Sequence, residues 1–281
     1  MKYFDESVIT LIKRRCSWRS YSDRPVEEDK QAALGTCISR LEPPPFGSKA
    51  HFVIVDVPQG KGGVKGTYGV IRGALTFLVG ATMENPKAMD DFGYLFEQLI
   101  LCATSMDLAT CWMGGTFSRS AFAQKIGLQP GEVLPAVSPL GYSAERRTVV
   151  DSLIRLMAGS RNRKPWGELF FRNNFSNPIN ELSAGDLVGP LEMVRIGPSA
   201  SNNQPWRLVL GSTTTNFFLQ RTRGYDRFSS LDLQRLDMGI AMCHFELTAK
   251  ELGMRGRWEV KNVPIPLPER TEYCVSWIRD E

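Results

Sequence analysis

The stretch DDFGYLFEQLILCATSMDLATCW, residues 90–112, decides how this chain is built. Its apolar positions fit a long, largely buried helix that begins at an Asp-x-Gly motif. A second stretch, DMGIAMCHFELTAKELGMRGRW at residues 237–258, begins with the same motif. The positions that coincide are Asp91/Asp237, Gly93/Gly239, Leu101/Leu247, Ala103/Ala249 and Trp112/Trp258. The interval from aspartate to tryptophan is 21 residues in both (112 − 91 and 258 − 237), so the chain contains an internal repeat.

A second correspondence lies upstream of each helix. Residues 19–55 and residues 172–210 both contain an aromatic residue and a serine, a nearby proline, a helix-like segment, a proline-rich loop and a strand, in that order. The alternative is chance similarity between two amphipathic helices, but two correspondences in the same order favour duplication. We therefore predict two related halves, 1–175 and a truncated 176–281, which together form one compact unit.

The hydrophobic pattern predicts an α+β fold, because helical and strand segments are mixed without strict alternation. Helices are predicted near 4–14, 27–40, 90–108, 118–126, 181–194 and 231–253. Strands are predicted near 51–57, 74–80, 134–140, 206–212, 257–261 and 273–278.

Composition narrows the class of ligand. The 281 residues are 42% hydrophobic and 23% charged, with a net charge of +4, which is typical of a soluble globular protein. Without a dense run of lysine and arginine, nucleic acids and anionic membranes are disfavoured as partners, and an anionic small molecule fits better. The chain also lacks a signal-peptide pattern and any apolar run near the roughly 20 residues that span a bilayer. These features favour a cytoplasmic protein.

The cysteines and histidines do not indicate a metal site or a nucleophilic triad. The six cysteines show no C-x-x-C pair, and we expect reduced, mostly buried thiols. The two histidines, His51 and His244, are isolated, and His244 is expected to pack in the core. The glycine-rich GKGGVKGTYG at 60–69 fits neither the dinucleotide-binding nor the P-loop pattern.

The stretch RRCSWRSYSDRPV, residues 14–26, is the first candidate for binding chemistry. Arg15, Ser17 and Arg19 follow a predicted helix and precede an aromatic-to-proline turn. Guanidinium groups and a hydroxyl at this spacing can surround a phosphate or another planar anion. The alternative is a solvated basic helix end, where cations complement the helix dipole.

The loop GPSASNNQPWRLVL, residues 197–210, is the second candidate. Pro198 and the small Ser199 and Ala200 allow a ligand to approach the backbone closely. The side-chain amides of Asn202 and Gln204 can each donate and accept, which suits recognition of a heterocycle edge. The alternative is an ordinary Asn/Ser/Pro turn that enters a strand.

Two weaker motifs complete the set. In CWMGGTF, residues 111–117, Met113 precedes a Gly114-Gly115 pair whose backbone N–H groups can face a flat ligand. In GSRNRKPWGELFF, residues 159–171, Arg161 and Arg163 can complete a phosphate site or can be surface charge.

Together these motifs resemble the FMN-dependent nitroreductase family. RCSWRSYSDRPV is similar to its Arg-x-Ser-x-Arg/Lys signature, and PSASNNQPWRLVL is similar to its Pro-Ser-x-x-Asn-x-Gln-Pro-Trp loop. The duplicated form resembles the branch called "putative TM nitroreductases", in which one chain carries both halves of the usual dimer. In ordinary members one subunit supplies the Arg/Ser signature and its partner supplies the loop.

Each half of this chain retains one side of such a site. The first half has EPPPFGSKAHFVIV (42–55) in place of the Asn-x-Gln-Pro-Trp loop, and the second half has FFRNNFSNP (170–178) in place of the Arg/Ser signature. The resemblance therefore implies one FMN per chain and a monomer with pseudo-two-fold symmetry.

The resemblance also implies a role for each residue. The phosphate and ribityl end of FMN would contact Arg15, Ser17, Arg161 and Arg163, with Arg19 near flavin N1 and O2. Pro198, Ser199, Ala200, Asn202 and Gln204 would line the other face, and Met113, Gly114 and Gly115 would lie near flavin N5 and O4. Cys16 and Trp18 occupy signature positions that the family usually fills otherwise, and Cys16 is counted among the residues expected to contact FMN. No catalytic protein side chain is implied, because the cofactor carries the chemistry.

The implied activity is an oxidoreductase in which NAD(P)H reduces FMN, which then reduces a small acceptor such as a nitroaromatic or a quinone. The alternatives are a non-catalytic FMN-binding protein and a pseudoenzyme scaffold with an empty site.

Overall fold

The computed structural model describes residues 4–57, 59–60, 63–64, 66–144, 162–225 and 231–280. Its helices are α1 Val8–Arg14, α2 Glu28–Ser39, α3 Pro86–Ser105, α4 Arg119–Ile126, α5 Trp166–Leu169, α6 Val188–Ile196 and α7 Leu233–Glu251. Each predicted helix is present with shifted ends. The predicted helix at 181–194 is two short 3₁₀ turns followed by α6, because Gly185 adopts a positive φ of 59° there.

The strands of the described chain confirm the mixed α+β prediction. They are β1 Ala50–Asp56, β2 Gln59–Gly60, β3 Gly63–Val64, β4 Thr76–Met83, β5 Ala109–Thr110, β6 Glu132–Val133, β7 Val137–Gly141, β8 Phe170–Arg172, β9 Trp206–Leu210, β10 Thr214–Gln220, β11 Gly256–Glu259 and β12 Thr271–Arg279. The prediction missed β10, a buried central strand that begins with polar threonines and an asparagine.

Two five-stranded sheets stand out in the described residues, and their strand orders correspond. The first sheet runs β1-β4-β7-β5, with β6 also on β4, and all its pairs are antiparallel. The second runs β11-β12-β10-β9, and β8 joins β9 in parallel at the edge. Numbered by their order along the chain, the four main strands of each sheet follow the same pattern: the first pairs with the second, the second with the fourth, and the fourth with the third. The strand β8, from before residue 176, thus extends the sheet of the later segment.

The repeated helices α3 and α7 pack directly against each other at their glycines. A Cβ atom at Gly93 would lie 2.3 Å from the Leu236 carbonyl oxygen, and one at Gly239 would lie 2.0 Å from the Asp90 carbonyl oxygen. Such contacts are far inside van der Waals distance, so only glycine allows the two backbones to approach this closely. The repeated glycine therefore marks the crossing point of the helix pair.

The repeated aspartates hold the two proline-rich loops in place. Asp91 in α3 accepts hydrogen bonds from the backbone N–H of Phe46 at 2.9 Å and of Ser48 at 2.8 Å. Asp237 in α7 accepts one from the N–H of Ala200 at 2.9 Å. Each central helix therefore fixes the loop that precedes the first main strand of its own segment.

The repeated tryptophans bind buried glutamates, and each glutamate also contacts the opposite helix. Trp112 donates to Glu97 at 2.6 Å, and Trp258 donates to Glu246 at 2.6 Å. Glu246 accepts a second hydrogen bond from Tyr94 of α3. The repeated aspartates, glycines and tryptophans thus each have a packing or hydrogen-bonding role at the helix pair.

The core lies between the helix pair and the two sheets. The largest fully buried side chains include Trp206, Trp277, Phe92, Phe96 and Phe245. The strand β4 is buried on both faces, because α3 packs on one side of the first sheet and α4 on the other. In the described residues, no helix is both long enough and apolar enough to cross a membrane.

The prediction of reduced thiols is wrong for two cysteines. Cys37 in α2 and Cys102 in α3 form a disulfide. Packing of α2 on α3 brings together two cysteines that are 65 residues apart, which sequence spacing does not reveal. Cys243 and Cys274 are buried, as predicted. The expectation of a cytoplasmic protein therefore loses the support that it took from the cysteines.

Substitution at the helix crossing tests the packing constraint. We expect Gly93→Ala and Gly239→Ala each to lower the free energy of unfolding by at least about 2 kcal/mol, because the added methyl group meets backbone atoms that cannot move aside. Chemical denaturation measures this change. The control is Gly35→Ala in α2, where a Cβ meets nothing within 4 Å and stability should rise by up to about 1 kcal/mol. Equal effects at positions 93 and 35 would contradict the crossing contact.

Candidate anion-binding site

Arg15 is placed by the end of α1. This helix begins after Ser7, whose side chain accepts from the Thr10 N–H, and ends where the Arg15 N–H bonds to the Leu11 carbonyl. Beyond it the chain runs extended along the first sheet, with the Trp18 N–H donating to the Thr110 carbonyl at 2.9 Å. The buried face of α1 directs the Arg15 side chain inward, and it is only 7% exposed.

The buried Arg15 guanidinium has unused hydrogen-bond donors among the described residues. Its Nε and Nη1 atoms are buried and have no hydrogen-bond partner among the described residues. Glu97 Oε1 lies 3.8 Å from Nε, which is an ion-pair distance but too long for a hydrogen bond. Desolvating a charged donor without a partner costs several kcal/mol. The arrangement is therefore complementary to an anion.

Arg163 lies near Arg15 in the structure, although the two residues are far apart in sequence. Its guanidinium donates to Asn202 Oδ1 and, at 2.9 Å, to the Ile196 carbonyl. Burial, followed by the positive charges of Arg15 and Arg195, lowers the pKa of Arg163 to about 10. Two of the predicted phosphate-binding cations, Arg15 and Arg163, therefore lie close enough for their charges to interact. Both are near the loop that holds Asn202.

The 197–204 loop adopts an unusual backbone conformation. Ser201, Asn202 and Gln204 have φ values of 51°, 55° and 49°, in the left-handed region that costs energy for residues other than glycine. The hydrogen bond from Ala200 N–H to Asp237 helps to hold this shape. Backbone strain of this kind is concentrated at ligand-binding sites, which makes the loop a candidate for ligand contact.

The two loop amides join the loop to the segment that carries Arg163. Asn202 donates to the Asn162 carbonyl at 2.7 Å. Gln204 is 2% exposed, accepts from the Lys164 N–H at 2.8 Å, and donates to the Asn162 and Asn202 carbonyls. The structure thus shows what both amides bond to within the protein, and their contact with a ligand stays a prediction. They are occupied in positioning residues 162–164.

The Gly114-Gly115 turn lies against the start of α7. Met113 is buried and pairs with Val137 through two backbone hydrogen bonds of 3.0 Å. A Cβ at Gly114 would lie 2.9 Å from a Leu233 methyl carbon, whereas a Cβ at Gly115 would have 3.8 Å of clearance. The turn thus contacts the second central helix, and Gly114 is required there for packing.

The remaining predicted residues are distributed around these elements. Cys16, Ser17 and Arg19 are partly buried along the segment after α1, where the Arg19 carbonyl accepts from the Arg72 N–H at 2.9 Å. Pro198 and Ser199 are partly buried in the loop, where Ser199 Oγ accepts from the Gln204 N–H. Arg161 lies outside the described residues.

Residues 170–178, which replace the Arg/Ser signature in the later segment, differ from it in polarity and burial. The stretch that replaces the Arg/Ser signature begins with Phe170, which is completely buried in β8. Arg172 is exposed and donates to the Ser183 carbonyl. A buried apolar ring and an exposed arginine are thus found in the stretch that replaces the Arg/Ser signature.

Sequence reasoning missed the buried pair next to Arg15. Glu97 and His244 are both 0% exposed, and Glu97 Oε1 lies 2.9 Å from His244 Nε2. The core position of His244 is confirmed, but its polar partner was not anticipated. The available signal was a lone glutamate within the apolar run of 90–104. In the described ranges no group of three His, Cys, Asp or Glu side chains is arranged to hold a metal ion.

Comparisons with known proteins give one family and one fold. A family model described as "Putative TM nitroreductase" matches residues 7–249. A structure from Thermotoga maritima, described as a "putative nitroreductase", aligns over 97% of this chain and 94% of its own, with a TM-score of 0.62 and 19% identity. The latter similarity shows the nitroreductase fold. No curated protein matches the chain.

Shorter nitroreductase structures align with about half of the chain. A nitroreductase family protein from Clostridium difficile covers 57% of this chain and 94% of its own, with a TM-score of 0.42 and 18% identity. A nitroreductase from Bacteroides fragilis, described as holding FMN, covers 51% and 92%, with a TM-score of 0.41 and 20% identity.

The pH dependence of stability tests the anchor of the loop. Burial raises the pKa of Asp237 to about 8, against a partial offset from the Ala200 hydrogen bond, while the unfolded value is about 4. The protonated form is favoured in the folded state, so its contribution to stability is full below pH 4 and is lost as pH rises through 8. We expect the stability of Asp237→Asn relative to wild type to increase from pH 5 to pH 8, by up to about 1.4 kcal/mol per pH unit.

Urea denaturation at several pH values measures this difference. Asp23→Asn, at an exposed position, is the control for loss of a carboxylate and should show a smaller pH dependence. A difference between Asp237→Asn and wild type that stays constant over this range would contradict the anchor's protonation.

Proposed function

Because this chain belongs to the family described as "Putative TM nitroreductase", we propose that it is an FMN-dependent oxidoreductase. NAD(P)H is the proposed reductant, and the proposed acceptor is a small molecule such as a nitroaromatic or a quinone. The observation that carries the FMN proposal is the buried, incompletely bonded guanidinium of Arg15 beside Arg163.

A phosphate group satisfies this arrangement better than a neutral ligand does. Burial is the main cause of the lowered pKa of Arg163, and repulsion from the neighbouring cation of Arg15 lowers it further. A phosphate dianion offsets both charges and accepts hydrogen bonds from the Nε and Nη1 atoms of Arg15. The residues present therefore fit the phosphate end of FMN.

The proposed site is divided between two related halves. Arg15 belongs to the proposed half 1–175, whereas Asn202 and its loop belong to the proposed half 176–281. The matching strand orders and the matching Asp, Gly and Trp contacts support this division. The stretch 170–178 lacks the Arg/Ser signature and begins with the buried Phe170 of β8, so we propose a single FMN per chain, bound by a monomer that mimics a dimer.

The other predicted residues complete the proposal. Ser17 and Arg161 are proposed at the phosphate end with Arg15 and Arg163, and Arg19 is proposed near the flavin pyrimidine, where a cation favours the reduced anionic form. Met113, Gly114, Gly115, Pro198, Ser199 and Ala200 are proposed to line the flavin. When bound, FMN supplies the hydride chemistry. Cys16 is proposed only as a backbone neighbour.

Asn202 and Gln204 have a different proposed role. Their amides hold residues 162–164 against the loop, so they position Arg163 and stiffen the strained backbone. A loop that is rigid before binding loses less entropy when a ligand binds. Pre-organisation of the cation is therefore the function that these amides would serve.

Alanine substitution of two adjacent arginines, Arg15 and Arg14, tests the proposed phosphate site. We expect Arg15→Ala to weaken FMN binding by about ten- to a hundred-fold, because it removes charge-assisted hydrogen bonds. The matched control is Arg14→Ala, whose side chain is 41% exposed and pairs with Glu6, and it should change FMN affinity less than about threefold. Quenching of FMN fluorescence measures both. Equal effects at positions 14 and 15 would exclude Arg15 as the phosphate ligand.

Anaerobic reduction distinguishes an enzyme from a flavin carrier. We expect NADH or NADPH to bleach the visible absorbance of bound FMN, and added nitroaromatic or quinone to restore it. Bound FMN that neither nucleotide reduces would support the non-catalytic alternative. Arg15→Ala, saturated with FMN, reports whether the phosphate contact affects only binding or also reduction.

A further inference from the structure

His244, Glu97 and Trp112 form a closed hydrogen-bond chain next to Arg15. His244 Nδ1 lies 2.9 Å from the Met193 carbonyl oxygen, and its Nε2 lies 2.9 Å from Glu97 Oε1. The indole N–H of Trp112 donates to the other glutamate oxygen at 2.6 Å. Because both His244 and Glu97 are completely buried, water cannot replace any of these partners.

Counting donors and acceptors gives the number of protons that His244 and Glu97 hold together. A carbonyl oxygen only accepts, so His244 Nδ1 must carry a hydrogen. The contact between Nε2 and Oε1 then needs one proton, either on the imidazole or on the carboxyl group. The pair is an imidazolium with a carboxylate, or a neutral imidazole with a carboxylic acid. Its net charge is zero in both cases.

This neutrality leaves the charge of Arg15 without compensation. Within the part of the chain that the structure describes, Glu97 is the carboxylate within ion-pair distance of Arg15. The cation of Arg163 lies close enough to interact with that of Arg15, and Arg163 in turn interacts with Arg195, which pairs with Glu192. We propose that His244 is a positioning residue that, by sharing one proton with Glu97, prevents the carboxylate from neutralising Arg15 and so keeps Arg15 available to the phosphate of FMN.

The carboxylate of Glu246, which bonds to Trp258, has its charge balanced in a different way. Glu246 accepts from Trp258 and from the Tyr94 hydroxyl, both at 2.6 Å, and its other oxygen pairs with Lys250 at 3.1 Å. There the carboxylate charge is balanced by a lysine of the same helix. At Glu97 a histidine takes that place, which leaves the nearby arginine unbalanced. The inference rests on the proposed function only for the identity of the anion.

Removal of the shared proton tests this role. His244→Gln retains an N–H donor toward Glu97 but cannot supply the proton, so Glu97 becomes a charged partner for Arg15. We expect this variant to bind FMN about tenfold or more weakly. Riboflavin, which lacks the phosphate, should bind it with unchanged affinity. An equal loss for FMN and riboflavin would overturn the proposal, because it would indicate general damage to the site.

The double variant separates charge from structure. In His244→Gln/Glu97→Gln no carboxylate remains to neutralise Arg15, so FMN affinity should return to within about threefold of wild type. Glu97→Gln alone should also stay within about threefold, which keeps the test usable if His244→Gln does not fold. A double variant that binds as weakly as His244→Gln would overturn the proposal. The matched control is Tyr94→Phe, which breaks the Glu246 contact and should leave FMN affinity unchanged.

Nitrogen NMR reads the proton arrangement without any ligand. The chain has only two histidines, so ¹⁵N-histidine labelling gives two ring systems, which His51→Gln assigns. We expect His244 Nδ1 to be protonated, and an unprotonated Nδ1 would overturn the proposal. If wild type binds no FMN, the proposed function fails, and this measurement still decides whether the Glu97–His244 pair shares a proton.

Discussion

The backbone contact between Gly93 and Gly239 sets the distance between the two central helices, and most of the polar structure follows from it. Because the helices touch at this point, Asp91 and Asp237 lie where each can hold the proline-rich loop of its own segment. The same contact brings Glu97 of one helix to His244 of the other, and Tyr94 to Glu246. A larger residue at the crossing would separate all of these pairs together.

The two loops held by the central helices lie in surroundings of different charge. One of them, the strained loop held by amides, lies near a buried arginine whose carboxylate neighbour is already occupied and near a second arginine. The other is an ordinary glycine-containing loop on Asp91, and the stretch that replaces the Arg/Ser signature begins with a buried phenylalanine. Uncompensated buried charge is costly, so the fold tolerates it where a ligand offsets it. This asymmetry is the physical basis for proposing one cofactor site per chain.

The sequence predicted the features that depend on local pattern. The periodicity of 90–112 and 237–258 indicated both central helices, and Arg15, Arg163 and Asn202 were selected for chemistry that the structure places together. Features set by tertiary packing were not predictable. The Cys37–Cys102 disulfide and the Glu97–His244 pair join residues far apart in sequence. Gln204 suits ligand recognition by residue type, but the nearby backbone of residues 162–164 takes up its amide.

The measurement that tests the account most directly is the number of FMN molecules bound per chain, determined from visible absorbance after gel filtration with the mass of the complex measured by light scattering. We expect one flavin on a single chain of 31.5 kDa, because Arg15 has unsatisfied buried donors near Arg163 and the loop that bonds to it, whereas the stretch 170–178 lacks the Arg/Ser signature. Two flavins per chain, or one flavin shared between two chains, would contradict the divided single site. Folded protein that retains no flavin would contradict the assignment of FMN.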